Sequence, residues 1–166
     1  MPFFTVHYRF SQRFPFSARE VYDWSTDFQA DDIARMGKEG IRSVERLDET
    51  TIILTDKIKE ATRSITKVRL VKLYPEMMMW TNTRISEEGR HSQFIYQMVP
   101  EGKGSRLEFT GAQVDEAPRR PTSAKLSAIA RGYEETDSLT WVRLAKSLEE
   151  EFSQRRSPGA SGNRAH

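Results

Sequence analysis

The sequence predicts an α+β fold in which a seven-stranded, curved antiparallel sheet wraps around one long C-terminal helix. Three observations predict it: an alternating strand opens the chain, six strand-like runs follow at regular spacing, and the last third switches to helical periodicity. No helix of crossover length lies between the six runs, so the sheet is expected to be antiparallel. The order β-α-α-β6-α fits a chain of 166 residues, which is the size of one domain.

The chain opens on a strand predicted over residues 4–10. Apolar and polar residues alternate there with a period of two, which is typical of a strand with one buried face. His7 falls on the polar side, so we expect a solvent-facing histidine there and not a catalytic one. The predicted buried side carries Phe4, Val6, Tyr8 and Phe10.

Two short helices are predicted after this strand. Ser17 and Glu20 have the spacing of a capping box, which marks the start of a helix. The apolar spacing then predicts a first helix over residues 18–27. A second helix is predicted over residues 30–36, because Gly37 follows it as a stop signal.

Six strands are predicted between residues 41 and 114. Short runs of strand-like composition are separated there by turns of two to five residues. Even spacing of this kind is typical of an antiparallel meander of hairpins. The predicted strands cover residues 41–48, 51–58, 64–73, 77–86, 91–100 and 105–114.

The last element is one amphipathic helix, predicted over residues 122–153 because apolar residues recur there in steps of three and four. At ~1.5 Å per residue it would be about 48 Å long, which exceeds the diameter of a domain of this mass. We therefore expect a bend or break near Gly132, or an end that overhangs the sheet. Residues 1–154 are assigned to the folded domain and 155–166 to a disordered polar tail.

Composition excludes several classes of function. The chain has no cysteine and only three histidines, which rules out disulfides and thiolate chemistry and leaves too few ligands for a histidine-rich metal site. The net charge of +2 provides no basic excess for nucleic-acid binding. No apolar run approaches the roughly 18 residues of a membrane span, and the N-terminus lacks the apolar core of a signal peptide. We expect a cytoplasmic monomer or homodimer without cofactor, metal or nucleic-acid partner.

Three segments resemble a known superfamily. They are residues 14–27 (FPFSAREVYDWSTD), 71–81 (VKLYPEMMMWT) and 104–110 (GSRLEFT). They are similar to the opening helix, the strand–Pro turn–strand and the last-strand entry of the START/Bet v 1-like (SRPBCC) superfamily, in its polyketide cyclase/dehydrase-like members. The resemblance covers about residues 3–153. It implies the helix-grip fold, with a pocket between sheet and helix, but it does not specify a reaction.

The pocket implied by this resemblance is expected to bind a hydrophobic small molecule or a lipid-like ligand. Inward aromatic residues would form its walls, although a packed core would use the same residues. Asp137 is the best polar candidate, because it lies between Tyr133 and Trp141 on the inward stripe of the last helix. It could instead lie at the solvent edge or cap a helix that restarts at Ser138. The predicted ligand-binding residues are Tyr8, Trp80, Tyr96, Phe109, Tyr133, Asp137 and Trp141.

Two alternative functions stay open. One is an aromatase/cyclase-like enzyme that acts on a polyketide-type substrate in the same cavity, with Asp137, Tyr96 and Arg84 as candidate catalytic residues. Arg84 could meet Asp137 or a ligand carboxylate if it faces inward, and otherwise it is a surface charge. The other alternative is an interaction surface over a collapsed pocket. Met77 or Met79 would belong to that surface, because alternation along a strand would expose at least one of the three consecutive methionines.

Overall fold

Seven strands and three α-helices form the computed structural model, which describes residues 2–85 and 91–157. The predicted order of elements is confirmed. The strands are β1 (Phe3–Phe14), β2 (Gly40–Arg46), β3 (Thr51–Lys59), β4 (Ser64–Tyr74), β5 (Met79–Arg84), β6 (His91–Glu101) and β7 (Gly104–Glu116). The helices are α1 (Ala18–Ser25), α2 (Asp32–Arg35) and α3 (Ser123–Arg156).

The strands form one antiparallel sheet in the order β1-β7-β6-β5-β4-β3-β2. Strands β2 to β7 follow one another as hairpins, so the predicted meander is confirmed. Strand β1 pairs with β7 along its whole length, from Phe3 opposite Glu116 to Phe14 opposite Ser105. The first and last strands of the chain are therefore neighbours, and α3 leaves β7 to pack over the inward face.

Helix α1 begins at the predicted capping box. The backbone N–H of Ser17 donates to Glu20 Oε2 at 3.0 Å, and the backbone N–H of Glu20 donates to Ser17 Oγ at 3.3 Å. The helix ends at Ser25, two residues earlier than predicted. Phe28 then takes the left-handed conformation with φ 46°, which no α-helix can include.

The methionine run does not lie on a strand, so the predicted strand over 77–86 is wrong at its start. Residues 75–77 form a short 3₁₀ turn that begins with Pro75, a residue that favours the first position of a helical turn. Met78 is left-handed with φ 48°, and β5 begins only at Met79. Met77 is 53% exposed, as expected of at least one methionine, whereas Met78 packs against the core.

Helix α3 runs without interruption from Ser123 to Arg156, so the predicted break near Gly132 is wrong. The length is accommodated at its N-terminal end instead, because residues 123–136 contain no buried side chain. The helix continues into the predicted polar tail, and residues 158–166 of that tail lie outside the described residues. The buried residues of α3 are Trp141, Leu144, Ala145 and Leu148.

The core lies between the inward face of the sheet, α1 and the C-terminal half of α3. Alternation puts Val6 and Tyr8 of β1 inside and leaves His7 exposed, as predicted. His91 is also exposed. No helix within the described ranges has the length and apolarity needed to cross a membrane.

Candidate functional site

A cavity of about 130 Å³ lies between the inward face of the sheet, the middle of α3 and the segment that links α1 to β2. Its walls combine apolar and polar side chains. The apolar residues are Trp24, Phe28, Met36, Leu54, Trp80, Phe94, Tyr96, Phe109, Trp141 and Leu144. The polar and charged residues are Ser25, Asp32, Lys38, Arg42, Arg69, Asn82, Asp137 and Thr140.

Five rings form what we call the aromatic cluster: Trp80, Phe94, Tyr96, Phe109 and Trp141. Trp80 and Tyr96 are direct partners across β5 and β6, and their rings stack at 4.8 Å with an interplanar angle of 4°. Trp141 of α3 tilts over both rings, at 6.2 Å from Trp80 and 5.7 Å from Tyr96. Cross-strand pairing on one sheet face thus builds a continuous aromatic wall.

Gly111 makes room for part of this wall. It lies opposite Tyr8 on β1, and a Cβ atom at Gly111 would come within 2.9 Å of the rings of both Tyr8 and Phe109. Those two rings pack at 5.4 Å across the space that the glycine leaves. The absence of a side chain at this position is therefore required by the packing.

Four charged side chains form what we call the charged cluster: Asp32, Arg42, Asp56 and Arg69. Asp56 is fully buried. Arg42 binds it with two hydrogen bonds, from Nε to Oδ1 at 2.7 Å and from Nη2 to Oδ2 at 2.9 Å. Arg69 adds a third, from Nη1 to Oδ2 at 2.6 Å. Arg42 also donates to Asp32 at 3.0 Å, so one guanidinium joins two carboxylates.

The strand register explains this clustering. Arg42 of β2 lies directly opposite Asp56 of β3, and Arg69 of β4 lies opposite Leu54, two residues from Asp56. Burial by itself would raise the pKa of Asp56, but the hydrogen bonds of Arg42 and the charge of Arg69 hold it below its usual value. Asp32 and Asp56 both pair with arginines. Within residues 2–85 and 91–157, no group of three or more His, Cys, Asp or Glu side chains is arranged to hold a metal ion.

Two lysines stand beside the charged cluster. Lys38 lines the cavity, and Lys67 lies on β4 at the inward parity, two residues before Arg69. Both side chains are half-buried, and neither ammonium has an ion pair or hydrogen bond with the described residues. Burial, together with the neighbouring charge of Arg69, lowers the pKa of Lys38 and lowers the pKa of Lys67 to about 8.

Asn82 is a buried amide without a partner. Its side chain lines the cavity between Trp80 and Arg84 on the inward parity of β5, and the residue is 8% exposed. Among the described residues its Oδ1 atom has no hydrogen-bond partner. A buried amide oxygen without a partner costs free energy, so the group is suited to a ligand that would bind it.

Asp137 lies on α3 and lines the cavity. The Tyr8 hydroxyl donates a hydrogen bond to Asp137 Oδ2, and Gln113 Nε2 donates to the Tyr8 hydroxyl oxygen at 3.0 Å. Burial raises the pKa of Asp137, and the Tyr8 hydrogen bond partly opposes that rise. Because α3 is continuous here, the alternative in which Asp137 caps a helix restarting at Ser138 is wrong.

The structure brings together five of the eight candidate residues that the sequence indicated. Trp80, Tyr96, Phe109, Asp137 and Trp141 line the cavity. Tyr8, Tyr133 and Arg84 do not belong to its lining.

These three residues lie around the cavity. Tyr8 sits behind Asp137, and the Tyr133 ring stacks on Tyr8 at 5.6 Å while its hydroxyl donates to Asp115. Arg84 lies on the inward side of β5, as the enzyme hypothesis required, but the residue opposite it on β4 is Arg69. The polar partner of Asp137 is therefore Tyr8, and the expected meeting of Asp137 with Arg84 is not what the structure shows.

Sequence reasoning missed the charged side of the cavity. The buried position of Asp56 could have been recognised from the sequence, because this charged residue interrupts the series of buried apolar residues Ile52, Leu54 and Ile58 on β3. Asn82 stood on the same parity as Trp80 and could have been recognised in the same way. Lys38 follows α2 in a loop, where no periodicity predicts the direction of a side chain.

Comparison with solved structures identifies the fold. An aromatase/cyclase, Zhui from Streptomyces sp. R1128, matches with a TM-score of 0.72 at 12% identity, over 96% of this chain and 99% of that one. A START superfamily protein from Mycobacterium smegmatis matches with a TM-score of 0.68 at 13% identity, over 87% and 98%. Norcoclaurine synthase from Thalictrum flavum, in complex with dopamine and hydroxybenzaldehyde, matches with a TM-score of 0.65 at 13% identity, over 89% and 88%.

No protein-family model matches the chain, and no match was found among curated proteins. The class that the comparisons support is thus defined by architecture. The chain has the helix-grip fold of START and Bet v 1-like proteins, as the sequence predicted. Its structural neighbours of that fold include a protein described as an aromatase/cyclase and a synthase solved with dopamine and hydroxybenzaldehyde.

Proposed function

We propose that this protein binds a small hydrophobic molecule in the cavity between the sheet and α3. The observation that carries the proposal is the continuous wall of the aromatic cluster, which faces an open space instead of a filled core. Burying a ligand there stabilises the complex by roughly 25 cal/mol per Å² of apolar surface. The volume supports a compact ligand over a long-chain lipid, since an apolar cavity of about 150 Å³ holds a benzene-sized molecule.

Several expectations about this protein rest on the sequence alone. They are a cytoplasmic location, a monomer or homodimer, the absence of a nucleic-acid partner, and a folded domain over about residues 1–154. None of them alters the argument for the cavity.

Intrinsic fluorescence provides a direct test. All three tryptophans of the chain, Trp24, Trp80 and Trp141, line the cavity. Titration with benzyl alcohol should therefore change the tryptophan emission in a saturable way, whereas 1-decanol should bind more weakly. Native mass spectrometry of freshly purified protein, with extraction of any adduct, would identify a ligand that is retained from the cell.

Two substitutions on α3, one at a leucine of the cavity and one at an exposed valine, distinguish binding in the cavity from adsorption to the surface. Leu144 lines the cavity and Val142 is 53% exposed on the same helix. Leu144→Phe fills part of the cavity with a larger side chain. It should therefore weaken benzyl alcohol binding by about tenfold, the equivalent of roughly 1.4 kcal/mol. Val142→Phe adds the same kind of ring at the surface and should leave binding unchanged. Equal binding by both variants would contradict the proposal.

An aromatase/cyclase-like enzyme is the second candidate, and one observation favours it. Asp137 lines the cavity with a hydrogen bond from Tyr8, and Tyr96 lines the same cavity. Burial raises the pKa of this carboxyl above its ordinary value, which is a common property of groups that transfer protons. The solved neighbour Zhui is described as an aromatase/cyclase, which supports the same candidate.

Turnover measurements would test this second candidate. A linear poly-β-keto thioester analogue, incubated with the protein, should give cyclised products at a rate that Asp137→Asn reduces by about 100-fold, a typical contribution of general acid–base catalysis. Tyr96→Phe should lower the rate as well, and Asp23→Asn on the exposed side of α1 serves as the control. If Asp137→Asn and Tyr96→Phe left both turnover and ligand binding unchanged, both site hypotheses would be wrong.

A further inference from the structure

The charged cluster is balanced by its own members. Arg42 and Arg69 together provide three hydrogen bonds to Asp56. Asp32 accepts from Arg42 at 3.0 Å and also lies 3.8 Å from Arg35. The charges of these carboxylates are therefore balanced by arginines of the protein, and they do not require a cationic group on the ligand.

The remaining charges around the cavity are unequal. Lys38 and Lys67 have no ion pair, and Asp137 is the one acid of the lining that no arginine or lysine contacts among the described residues. The charge of Glu60 also acts on Lys67. Glu60 is exposed, however, and forms an ion pair with Arg63 at 3.6 Å. Two half-buried ammonium groups thus face one carboxyl, which gives this side of the cavity a positive potential.

Asp137 does not cancel that potential. One of its oxygens already accepts a hydrogen bond from the Tyr8 hydroxyl, which is itself held by Gln113. Burial raises the pKa of Asp137, while the Tyr8 hydrogen bond and the charges of Lys38 and Lys67 oppose that rise. Even a charged Asp137 can offset only one of the two ammonium charges. The local field that a ligand meets is therefore set mainly by the lysines.

Asn82 adds a fixed polar group to the lysines. It is nine-tenths buried, it lines the same cavity as Lys38, and its amide oxygen has no partner among the described residues. Its carboxamide offers two N–H donors and one acceptor. The N–H donors of Nδ2 can bind a ligand carboxylate, whereas Oδ1 is an acceptor and would bind only a donor group of the ligand, such as a hydroxyl.

We infer that the ligand of this cavity is a small aromatic carboxylic acid, with its ring on the aromatic cluster and its carboxylate on the Lys38 ammonium and the Nδ2 group of Asn82. This inference rests on the proposed function, because it names the chemical class of the hydrophobic molecule. It assigns Lys38 and Asn82 to specificity, and the aromatic cluster to affinity. Lys67 acts at longer range, because it lies on the inward side of β4 but outside the cavity lining.

Three probes with one ring and different charges test the inference. Benzoate is an anion at pH 7, benzyl alcohol is neutral, and benzylamine is a cation. Calorimetric titration at low ionic strength should show benzoate binding about tenfold more tightly than benzyl alcohol, the equivalent of one charge-assisted hydrogen bond. Benzylamine should bind most weakly. Added salt should weaken benzoate binding and leave benzyl alcohol binding unchanged.

Substitutions locate the preference within the cavity. Lys38→Met removes the charge at nearly constant length and should lower the benzoate to benzyl alcohol preference by about fivefold or more. Asn82→Leu removes the amide at similar volume and should lower the same ratio. Lys146→Met is the control, because its ammonium lies on an exposed side chain of α3 near Glu150. The ratio is independent of a general loss of stability, since both probes need the same folded cavity.

Each outcome decides between the two proposals. If benzyl alcohol binds as tightly as benzoate, the cavity stands and only the inference about the acid is wrong. If benzylamine binds most tightly, Asp137 determines the charge preference and the inference is overturned. If none of the three probes binds, the proposed function fails and the inference fails with it. A preference for benzoate that survives both substitutions would also overturn the assignment to Lys38 and Asn82.

Discussion

The strand residues of the aromatic cluster and of the charged cluster lie on the same inward face of the sheet, but different interactions hold the two clusters together. Rings such as Trp80 and Tyr96 make apolar contacts, which have no strict direction and can be exchanged for contacts with a guest. Asp56 is instead fixed by three directional hydrogen bonds from two guanidinium groups. One side of the cavity can therefore adapt to a ligand, whereas the other is rigid.

This difference separates affinity from orientation. An adaptable apolar wall tolerates ligands of several shapes, because burial of area is not specific for shape. A rigid polar side can discriminate between ligands, because a mismatched ligand leaves buried polar groups without partners.

Asp56→Asn should have the largest effect, a loss of about 3–5 kcal/mol in the free energy of unfolding, because Arg69 would lose its counter-ion and Arg42 would keep only Asp32. Urea denaturation followed by circular dichroism measures it. Asp23→Asn, which removes an exposed i,i+4 ion pair with Arg19, should change stability very little. Equal effects of the two substitutions would show that the charged cluster is not the rigid side.

Gly111→Ala should cost about 1–3 kcal/mol of stability, because the new methyl group would overlap the rings of Tyr8 and Phe109. Gly132→Ala is the matched control with the opposite sign, since a Cβ atom there meets nothing within 4 Å and alanine favours a helix by about 1 kcal/mol. Thermal unfolding of both variants is the measurement. A neutral Gly111→Ala would mean that the aromatic wall has spare volume.

Asp137 and Asp56 should affect the pH dependence of stability in opposite directions. The pKa of Asp137 is raised in the folded state, so its contribution is present at low pH and is lost as pH rises through that pKa. The pKa of Asp56 is lowered, so its contribution is present above the ordinary aspartate pKa and is lost as pH falls through the folded value.

Urea titrations between pH 3 and pH 8 would separate these contributions. In Asp137→Asn the loss of stability with rising pH should become smaller, because only the raised pKa values of Asp27 and Asp32 would still contribute to it, while the acid-side loss due to Asp56 should remain. Asp23→Asn serves as the exposed control. An unchanged pH profile in Asp137→Asn would show that protonation of Asp137 does not affect the stability of the fold.

Lys67 should produce the smallest effect. Its pKa is lowered to about 8, so it is mostly charged at pH 7 and mostly neutral at pH 9. Benzoate affinity should therefore fall by about fivefold between these pH values, as expected for one partly screened charge. Lys67→Met should flatten the profile and Lys146→Met should not. A profile that is equally steep in Lys67→Met would assign the titration to another group.

The fold could be predicted from the sequence because its indications are local. The period of two around Tyr8, the capping box at Ser17 and the hairpin spacing each depend on residues that are neighbours in the chain. The errors arose where two local indications competed. Pro75 favoured a helical turn within a predicted strand, and the length of α3 suggested a break at Gly132 that partial coverage of the helix made unnecessary.

The candidate site was predictable on one side only. Trp80, Tyr96, Phe109 and Trp141 follow the periodicity of their elements, and so their inward positions could be derived. The residues that balance the charges could not, because Asp56 binds Arg42 and Arg69 from two other strands. Asp137 was found as a polar residue on an apolar stripe, but its partner Tyr8 lies 129 positions away.

The elements, their order and the aromatic face of the sheet follow from the sequence, because periodicity, capping and turn composition act over a few residues. Which charges meet, which remain without a partner, and where the cavity lies depend on tertiary contacts. Strand register and helix packing set those contacts between distant residues. A single-residue shift of register would have turned Asp56 and Asn82 to the opposite face of the sheet.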